Sequence, residues 1–234
     1  MKLSNSPITY IFDLDGTLLD TLDDLAAATN YALRAHGLPE HSTEDVRNFV
    51  GNGVCMLIQR AVPNGTPDAV FEDVLDTFRK YYLEHSLDCT RPYDGIVETL
   101  NELKARGCKL AVVSNKFMTA TKELVRHFFP MIEVAIGENE TEGIRKKPAP
   151  DTVLEALRRL EVQLPCEKVS NQEMLQSRVY YVGDSDVDIE TARSSGLPCI
   201  SVLWGFRDRS FLEAHGATTF ISRPEELLTL NIKD

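Results

Sequence analysis

The sequence has few cysteines, one tryptophan, no long apolar run and a shortage of positive charge. Its five cysteines are scattered and include no C-x-x-C spacing. This argues against a disulfide framework or a zinc site and favours a reducing compartment. No apolar run approaches the length of a membrane span, and the N-terminus enters a first strand without a signal-peptide pattern. We therefore expect a cytoplasmic protein that does not bind membranes.

Negative charge dominates the chain. Lys and Arg total 25 against 36 Asp and Glu, which gives a net charge of −11 and a pI near 5.0. Such an excess opposes binding to nucleic acid and to anionic lipid surfaces. An anionic substrate would therefore need local cations or a metal ion. The 234 residues suit one core domain with a small insert.

The residue pattern changes near position 91. An apolar, β-branched run at 8–12 predicts a buried strand, and residues 20–90 then read as helices without a strand. Beyond 91, strands alternate with helices, which favours a parallel sheet covered by helices. We predict an α/β core (1–19 and 91–234) interrupted by an all-helical cap (20–90). The connection 162–177 is long and is predicted to be a surface excursion.

The stretch Asp13-Leu14-Asp15-Gly16-Thr17 directly follows the first strand. Two carboxylates at a strand end repel each other unless a cation lies nearby. Gly16 permits a sharp turn close to an anion, and Thr17 offers a hydroxyl. A solvated strand-to-helix turn explains this stretch equally well when it is taken alone.

Three further polar clusters follow predicted core strands. Ser114-Asn115-Lys116 could hold a phosphoryl oxygen, and the lysines of 146–150 supply a point charge for phosphate. In 183–188, Asp184 and Asp188 would lie close together and suit a hard divalent cation. Singly, these clusters are typical of a turn, a basic loop and an N-cap. Their joint occurrence at strand ends makes coincidence the poorer explanation.

In chain order, these clusters resemble the four signature motifs of the haloacid dehalogenase superfamily of aspartate-nucleophile phosphohydrolases. The resemblance covers essentially the whole chain and rests on Asp13–Thr17, Ser114, Lys147-Pro148, and Gly183-Asp184 with Asp188. It implies a Rossmann-like core with an inserted cap, and the activity of a phosphoric monoester hydrolase. Members that dehalogenate, or that cleave carbon–phosphorus bonds, lack an acid at the position of Asp15. Phosphoryl transfer is therefore implied.

The same resemblance implies a role for each motif residue. Asp13 would be the nucleophile that forms an aspartyl phosphate, and Asp15 would be the general acid and base. The residues implied to hold Mg²⁺ are Asp13, Asp15 through its backbone carbonyl, Asp184 and, in support, Asp188. The residues implied to bind the phosphoryl group are Ser114, Asn115 and Lys147. Lys147 would also offset the charge of the nucleophile.

The segment 49–54 resembles the cap loop of phosphoglycolate phosphatases. The two glycines of Gly51-Asn52-Gly53 would let backbone amides approach a small carboxylate, although a simple helix–helix turn would also explain them. We therefore expect a small anionic phosphate ester as the substrate, with 2-phosphoglycolate the leading candidate. The expected assembly is a monomer or a weak homodimer.

Other functions remain open at this point. Another small phosphate ester or pyrophosphate could be the substrate. A phosphosugar mutase of the β-phosphoglucomutase type is disfavoured, because such mutases carry a histidine shortly after the first motif and the first histidine here is His36. A non-catalytic binding protein is disfavoured because no motif carboxylate is missing.

Overall fold

The computed structural model of the chain describes residues 7–138, 143–163 and 178–230. Contacts divide the chain into two compact units, Met1–Leu18 with Pro92–Asp234, and Leu19–Arg91. The division into a catalytic core and a cap stays a prediction.

The strands belong to two sheets. In chain order they are β1 (Thr9–Phe12), β2 (Leu19–Asp20), β3 (Arg91–Pro92), β4 (Lys109–Phe117), β5 (Val134–Glu138), β6 (Val179–Gly183), β7 (Cys199–Val202) and β8 (Phe220–Ile221). The main sheet has the order β5-β4-β1-β6-β7-β8, and each of its pairs is parallel. Strands β2 and β3 form a separate pair. This sheet confirms the predicted α/β fold.

Helices connect these strands. They are α1 (Leu22–Ala35), α2 (Thr43–Phe49), α3 (Val54–Ala61), α4 (Asp68–His85), α5 (Ile96–Ala105), α6 (Met118–Phe128), α7 (Asp151–Arg159), α8 (Asp186–Ser194), α9 (Arg209–Ala214) and a closing 3₁₀ helix (Pro224–Leu228). None of those in the described parts of the chain combines the length and apolar character that a membrane crossing requires.

Strand β1 is central in the main sheet and pairs with β4 on one side and β6 on the other. All four of its residues are buried, which explains why its sequence is almost continuously apolar and does not alternate. One core cluster includes Ile11, Val113 and Tyr181 of three adjacent strands, together with Val153 and Leu157 of α7. This packing fixes the carboxyl ends of β1, β4 and β6 side by side.

The smaller unit, Leu19–Arg91, contains α1 to α4. Helix α1 packs on α4. Ala28 and Ala32 of α1 and Phe78 of α4 are fully buried. The buried carboxylate of Asp24 accepts hydrogen bonds from the amides of Cys89 (2.9 and 3.1 Å) and Thr90 (2.8 Å). The start of α1 is thereby tied to the end of this unit's chain.

Three predicted boundaries were wrong. Ser114–Lys116 does not follow the second core strand but lies inside β4, where the pairing with β5 shifts register between Val113 and Phe117. The apolar run at 132–136 predicts a strand that starts at 132, whereas β5 begins at Val134. Asp20 belongs to β2, a strand of two residues that is too short to leave a periodic signal. The predicted excursion 162–177 lies outside the described residues from 164 onward.

Candidate active site

Asp13 and Asp184 lie at the carboxyl ends of adjacent parallel strands. The amide of Asp13 donates to the carbonyl of Val182 at 2.9 Å, which continues the pairing of β1 with β6 by one residue. Asp184 follows β6 directly. The side chains of both residues are buried. In open α/β sheets, ligands bind at this edge.

Lys147 brings a buried positive charge to these acids. Its Nζ lies 2.7 Å from Asp13 Oδ1 and 2.8 Å from Asp188 Oδ1. Although burial by itself lowers the pKa of Lys147, the two carboxylates raise it above its usual value. Lys147 therefore stays charged. Its backbone is fixed by Asn115, whose side chain accepts from Lys147 N (2.8 Å) and donates to Lys147 O (3.1 Å).

Asp188, in the first turn of α8, is held on both carboxylate oxygens. Oδ2 accepts from Asp184 N (3.2 Å), Ser185 N (3.1 Å) and Ser185 Oγ (2.6 Å), and forms a capping box with Ser185. Oδ1 accepts from Lys147 Nζ and, at 2.9 Å, from the hydroxyl of Tyr181. Both carboxylate oxygens of Asp188 therefore have hydrogen-bond donors within the protein.

Three acids form a cluster that could hold a metal ion. One carboxylate oxygen from each of Asp13, Asp184 and Asp188 lies within 4.8 Å of the others, and all three residues are buried. Burial and then Asp188 raise the pKa of Asp184 to about 7. Burial and then Asp188 also raise the pKa of Asp13 well above its usual value, while Lys147 opposes the rise. A hard divalent cation, which prefers oxygen ligands, fits this crowded acidic set.

The carboxylate of Asp184 is held by two segments far apart in sequence. Thr17 Oγ1 donates to Oδ1 at 3.2 Å, and the amide of Phe206 donates to Oδ2 at 2.7 Å. Glycine is required on both sides. A Cβ on Gly16 (φ +86°) would lie 2.4 Å from Asp184 Oδ2, and one on Gly205 would lie 2.3 Å from Asp184 Cβ.

The loop that carries Gly205 also contacts the first motif through its tryptophan. Trp204 Nε1 donates to the carbonyl of Thr17 at 3.0 Å. Its hydrogen bond shows that this loop is joined to the motif that contains Asp13 and Asp15.

The edge of the sheet that carries Asp13 and Asp184 also carries Asp15, Ser114 and Lys116. Lys116, with a buried side chain, places Nζ 3.2 Å from Asp15 Oδ1. Its amide donates to Ser114 Oγ at 3.2 Å, which leaves the hydroxyl proton of Ser114 to donate elsewhere. The predicted phosphate ligands Ser114, Asn115 and Lys147 are thus brought near Asp13 or to the same sheet edge, and their role stays a prediction.

The predicted substrate loop, Gly51-Asn52-Gly53, belongs to the other compact unit. Gly51 and Gly53 both have positive φ, of +129° and +85°. Arg60 lies near the C-terminal end of α3. It donates to the carbonyl of Phe49 (2.7 Å) and to Asn52 Oδ1 (2.6 Å). The guanidinium therefore links the end of α2 to the middle residue of the loop. The sequence did not predict this contact.

Sequence reasoning missed other members of the site. Lys116 was considered only as a neighbour of Ser114. Its position, two residues after a predicted phosphate ligand, could have indicated that it belongs to the site. Tyr181 carried no signal, because an aromatic residue in a strand looks the same in a sequence whether or not its side chain touches a site.

Comparison with known proteins agrees with this geometry. A family model described as haloacid dehalogenase-like hydrolase matches residues 10–202. The chain belongs to the haloacid dehalogenase-like hydrolase family. This membership confirms the predicted superfamily and its hydrolase character.

Individual relatives cover nearly the whole chain. A phosphoglycolate phosphatase of Aquifex aeolicus is 33% identical over 222 residues, 94% of each protein. An N-acetylmuramic acid 6-phosphate phosphatase of Pseudomonas aeruginosa is 30% identical and covers 93% of this chain and 92% of its own. The crystal structure of a candidate phosphoglycolate phosphatase from Lactobacillus delbrueckii subsp. bulgaricus superimposes with a TM-score of 0.85 at 35% identity, covering 97% and 98% of the two chains.

Proposed function

We propose that this hydrolase is a Mg²⁺-dependent phosphomonoesterase that uses Asp13 as its nucleophile, with 2-phosphoglycolate as the leading substrate. The observation that carries the proposal is the arrangement of Asp13, which is buried, 2.7 Å from Lys147 and clustered with Asp184. An anionic nucleophile can approach an anionic ester only where positive charge offsets their repulsion. The cytoplasmic location remains a prediction from the scattered cysteines.

The reaction consists of two transfers of the phosphoryl group, first to Asp13 and then to water. A carboxylate oxygen of Asp13 forms a bond to phosphorus while the ester P–O bond breaks, and Asp15 gives its proton to the leaving alkoxide. Asp15 then takes a proton from water, whose oxygen bonds to phosphorus as the aspartyl–phosphorus bond breaks. Inorganic phosphate leaves, and both carboxylates return to their starting states.

The other residues of the site prepare these transfers. Lys147 neutralises part of the charge of Asp13, and the hydroxyl of Ser114 donates to a phosphoryl oxygen. Mg²⁺, held by Asp13, Asp184 and the backbone carbonyl of Asp15 with Asp188 in support, would supply the positive charge that an acidic site lacks. The donors fit that ion because all are oxygens and two belong to buried acids of raised pKa.

The choice of 2-phosphoglycolate rests on the relative from Aquifex aeolicus and on the Gly51-Asn52-Gly53 loop. The relative from Pseudomonas aeruginosa supports a sugar phosphate as the second candidate. A mutase has less support, since His36 Nε2 lies 2.9 Å from Thr77 Oγ1, inside its own unit.

A panel assay tests the function. Phosphate release with Mg²⁺ would be measured on 2-phosphoglycolate, pyrophosphate, N-acetylmuramic acid 6-phosphate, β-glucose 1-phosphate and nucleoside monophosphates. We expect the highest kcat/KM on 2-phosphoglycolate. Asp13→Asn should lower turnover by about a thousandfold or more, as removal of a nucleophile does elsewhere. Asp23→Asn, on the exposed surface of α1, is the matched control; equal activity of wild type and Asp13→Asn would refute the mechanism.

A further inference from the structure

Tyr181 lies in the middle of the main sheet, yet its hydroxyl reaches the candidate active site. It belongs to β6, where it is opposite Ile11 of β1 and Cys199 of β7. Its side chain is fully buried. The hydroxyl donates to Asp188 Oδ1 at 2.9 Å and accepts from Lys147 Nζ at 3.1 Å.

This hydroxyl completes the hydrogen bonding of Lys147. An ammonium group carries three N–H donors and no acceptor. The acceptors around Lys147 Nζ are Asp13 Oδ1 (2.7 Å), Asp188 Oδ1 (2.8 Å) and the hydroxyl of Tyr181. Three protein acceptors therefore surround the ammonium and restrict its direction.

A tyrosine supplies what an apolar side chain cannot supply at this position. The phenol is a donor and an acceptor at once, so it satisfies Lys147 and Asp188 with one oxygen atom. Phenylalanine would remove one of the three acceptors of a buried cation and the phenolic donor of Asp188, and a buried polar group that loses its partner is costly. The ammonium would then turn toward another acceptor or admit water.

The neighbouring tyrosine in the same strand provides an internal comparison. Tyr180 is also buried, but it faces the other side of the sheet, where its ring lies 5.8 Å from that of Tyr10, centroid to centroid. Successive strand residues point to opposite faces. Tyr180 therefore shares the burial of Tyr181 without its contacts to the site.

We propose that Tyr181 is a positioning residue for catalysis, which holds Lys147 between Asp13 and Asp188 through its hydroxyl. The proposal rests on the proposed phosphatase function but is independent of which ester is the substrate. Because three protein acceptors surround Lys147 Nζ, the hydroxyl of Tyr181 acts on the direction in which Lys147 approaches Asp13. Loss of the hydroxyl should therefore lower kcat and leave KM nearly unchanged.

The test compares Tyr181→Phe with Tyr180→Phe. Both variants remove one tyrosine hydroxyl from β6, so a general effect of this change on the strand would appear in both. With p-nitrophenyl phosphate and with the best ester of the panel, we expect Tyr181→Phe to lower kcat about tenfold, with KM changed less than about twofold. Tyr180→Phe should match wild type. Melting temperatures and circular dichroism would verify that assays are run on folded protein.

A rescue variant separates the role of the hydroxyl from that of the ring. If Tyr181→Phe does not fold, Tyr181→p-aminophenylalanine, which keeps a donor and an acceptor, should still fold and retain most of the wild-type kcat. Equal kcat in Tyr181→Phe and Tyr180→Phe, or a change confined to KM, would overturn the role of Tyr181 while leaving the phosphatase intact. An inactive wild type on every ester would instead overturn the proposed function, and the role of Tyr181 with it.

Discussion

The ammonium of Lys116 lies 3.2 Å from the carboxylate of Asp15, and the side chain of Lys116 is only 3% exposed. A buried charge is retained only where an opposite charge or hydrogen bonds compensate its desolvation. Lys116 therefore adds a second buried cation to a site whose other buried cation is Lys147. The ion pair between Lys116 and Asp15 thus joins the carboxyl ends of β4 and β1.

Replacement of Lys116 should impair catalysis. Lys116→Met keeps the length of the side chain but leaves Asp15 without its partner, so we expect kcat/KM to fall about tenfold or more. Lys122→Met, on the exposed surface of α6, removes the same charge far from any acid of the site and serves as the control. Wild-type kcat/KM in Lys116→Met would show that Asp15 does not depend on this ion pair.

The raised pKa of Asp184 predicts how Mg²⁺ stabilises the protein at different pH. In the unfolded chain the pKa is about 3.9, so the metal-free native state binds more protons between that value and about 7. The metal-free protein therefore loses stability from this group as the pH rises through that window. Mg²⁺ should raise the melting temperature little at about pH 5.5, where it competes with a proton, and more at about pH 8.5.

Thermal unfolding with and without Mg²⁺ measures this effect. Asp184→Asn should abolish both the Mg²⁺-induced shift and its pH dependence. Asp186→Asn, two residues away and outside the acidic cluster, should retain both. A shift that is equally large at both pH values in wild type would contradict the assignment of Asp184 as a ligand.

Asp24 should be important for the stability of the smaller unit. Its buried carboxylate is the acceptor for the amides of Cys89 and Thr90, so Asp24→Ala would strand two backbone donors. We expect a loss of about 2–4 kcal/mol in the free energy of unfolding. Asp23→Ala, on the exposed side of the same helix turn, should change it by less than about 0.5 kcal/mol. Denaturant titration of wild type, Asp24→Ala and Asp23→Ala would measure these free energies. Similar midpoints for all three proteins would exclude a stabilising role for Asp24.

Arg60 should influence substrate affinity more than turnover. Arg60→Met releases Phe49 and Asn52, so the predicted substrate loop would lose its fixed shape. If this loop recognises the carboxylate of the substrate, KM for 2-phosphoglycolate should rise about fivefold or more. KM for p-nitrophenyl phosphate, which has no carboxylate, should change little. Lys80→Met, which removes an exposed cation paired with Asp76 in the same unit, is the control.

The sequence was sufficient to predict the alternation of strands and helices that builds the main sheet. Helices of strong amphipathic pattern and buried strands such as β1 carry their own signals. Boundaries failed where tertiary pairing decides them: Ser114 to Lys116 looked like a turn because of its polar residues, yet β4 continues through it by a register shift.

The inner contacts of the site could not be predicted for a related reason. Lys147 and Asp188 are 41 residues apart and Thr17 and Asp184 are 167 apart, so no local pattern joins them. The role of Asn115 shows the same limit. Its side chain accepts from the amide of Lys147 and donates to the carbonyl of Lys147, a pairing over 32 residues that no local pattern indicates. Its predicted binding of phosphate stays a prediction.

The central position of β1 has a consequence for synthesis of the chain. During translation, the first strand emerges early, but its neighbours β4 and β6 begin only at Lys109 and Val179. The amide of Phe206 that holds Asp184 emerges later still. A nascent chain would thus expose an apolar strand and the future nucleophile until β4 and β6 have been made, and such exposed strands are prone to aggregate. We expect the enzyme to become active only after Phe206 has left the ribosome.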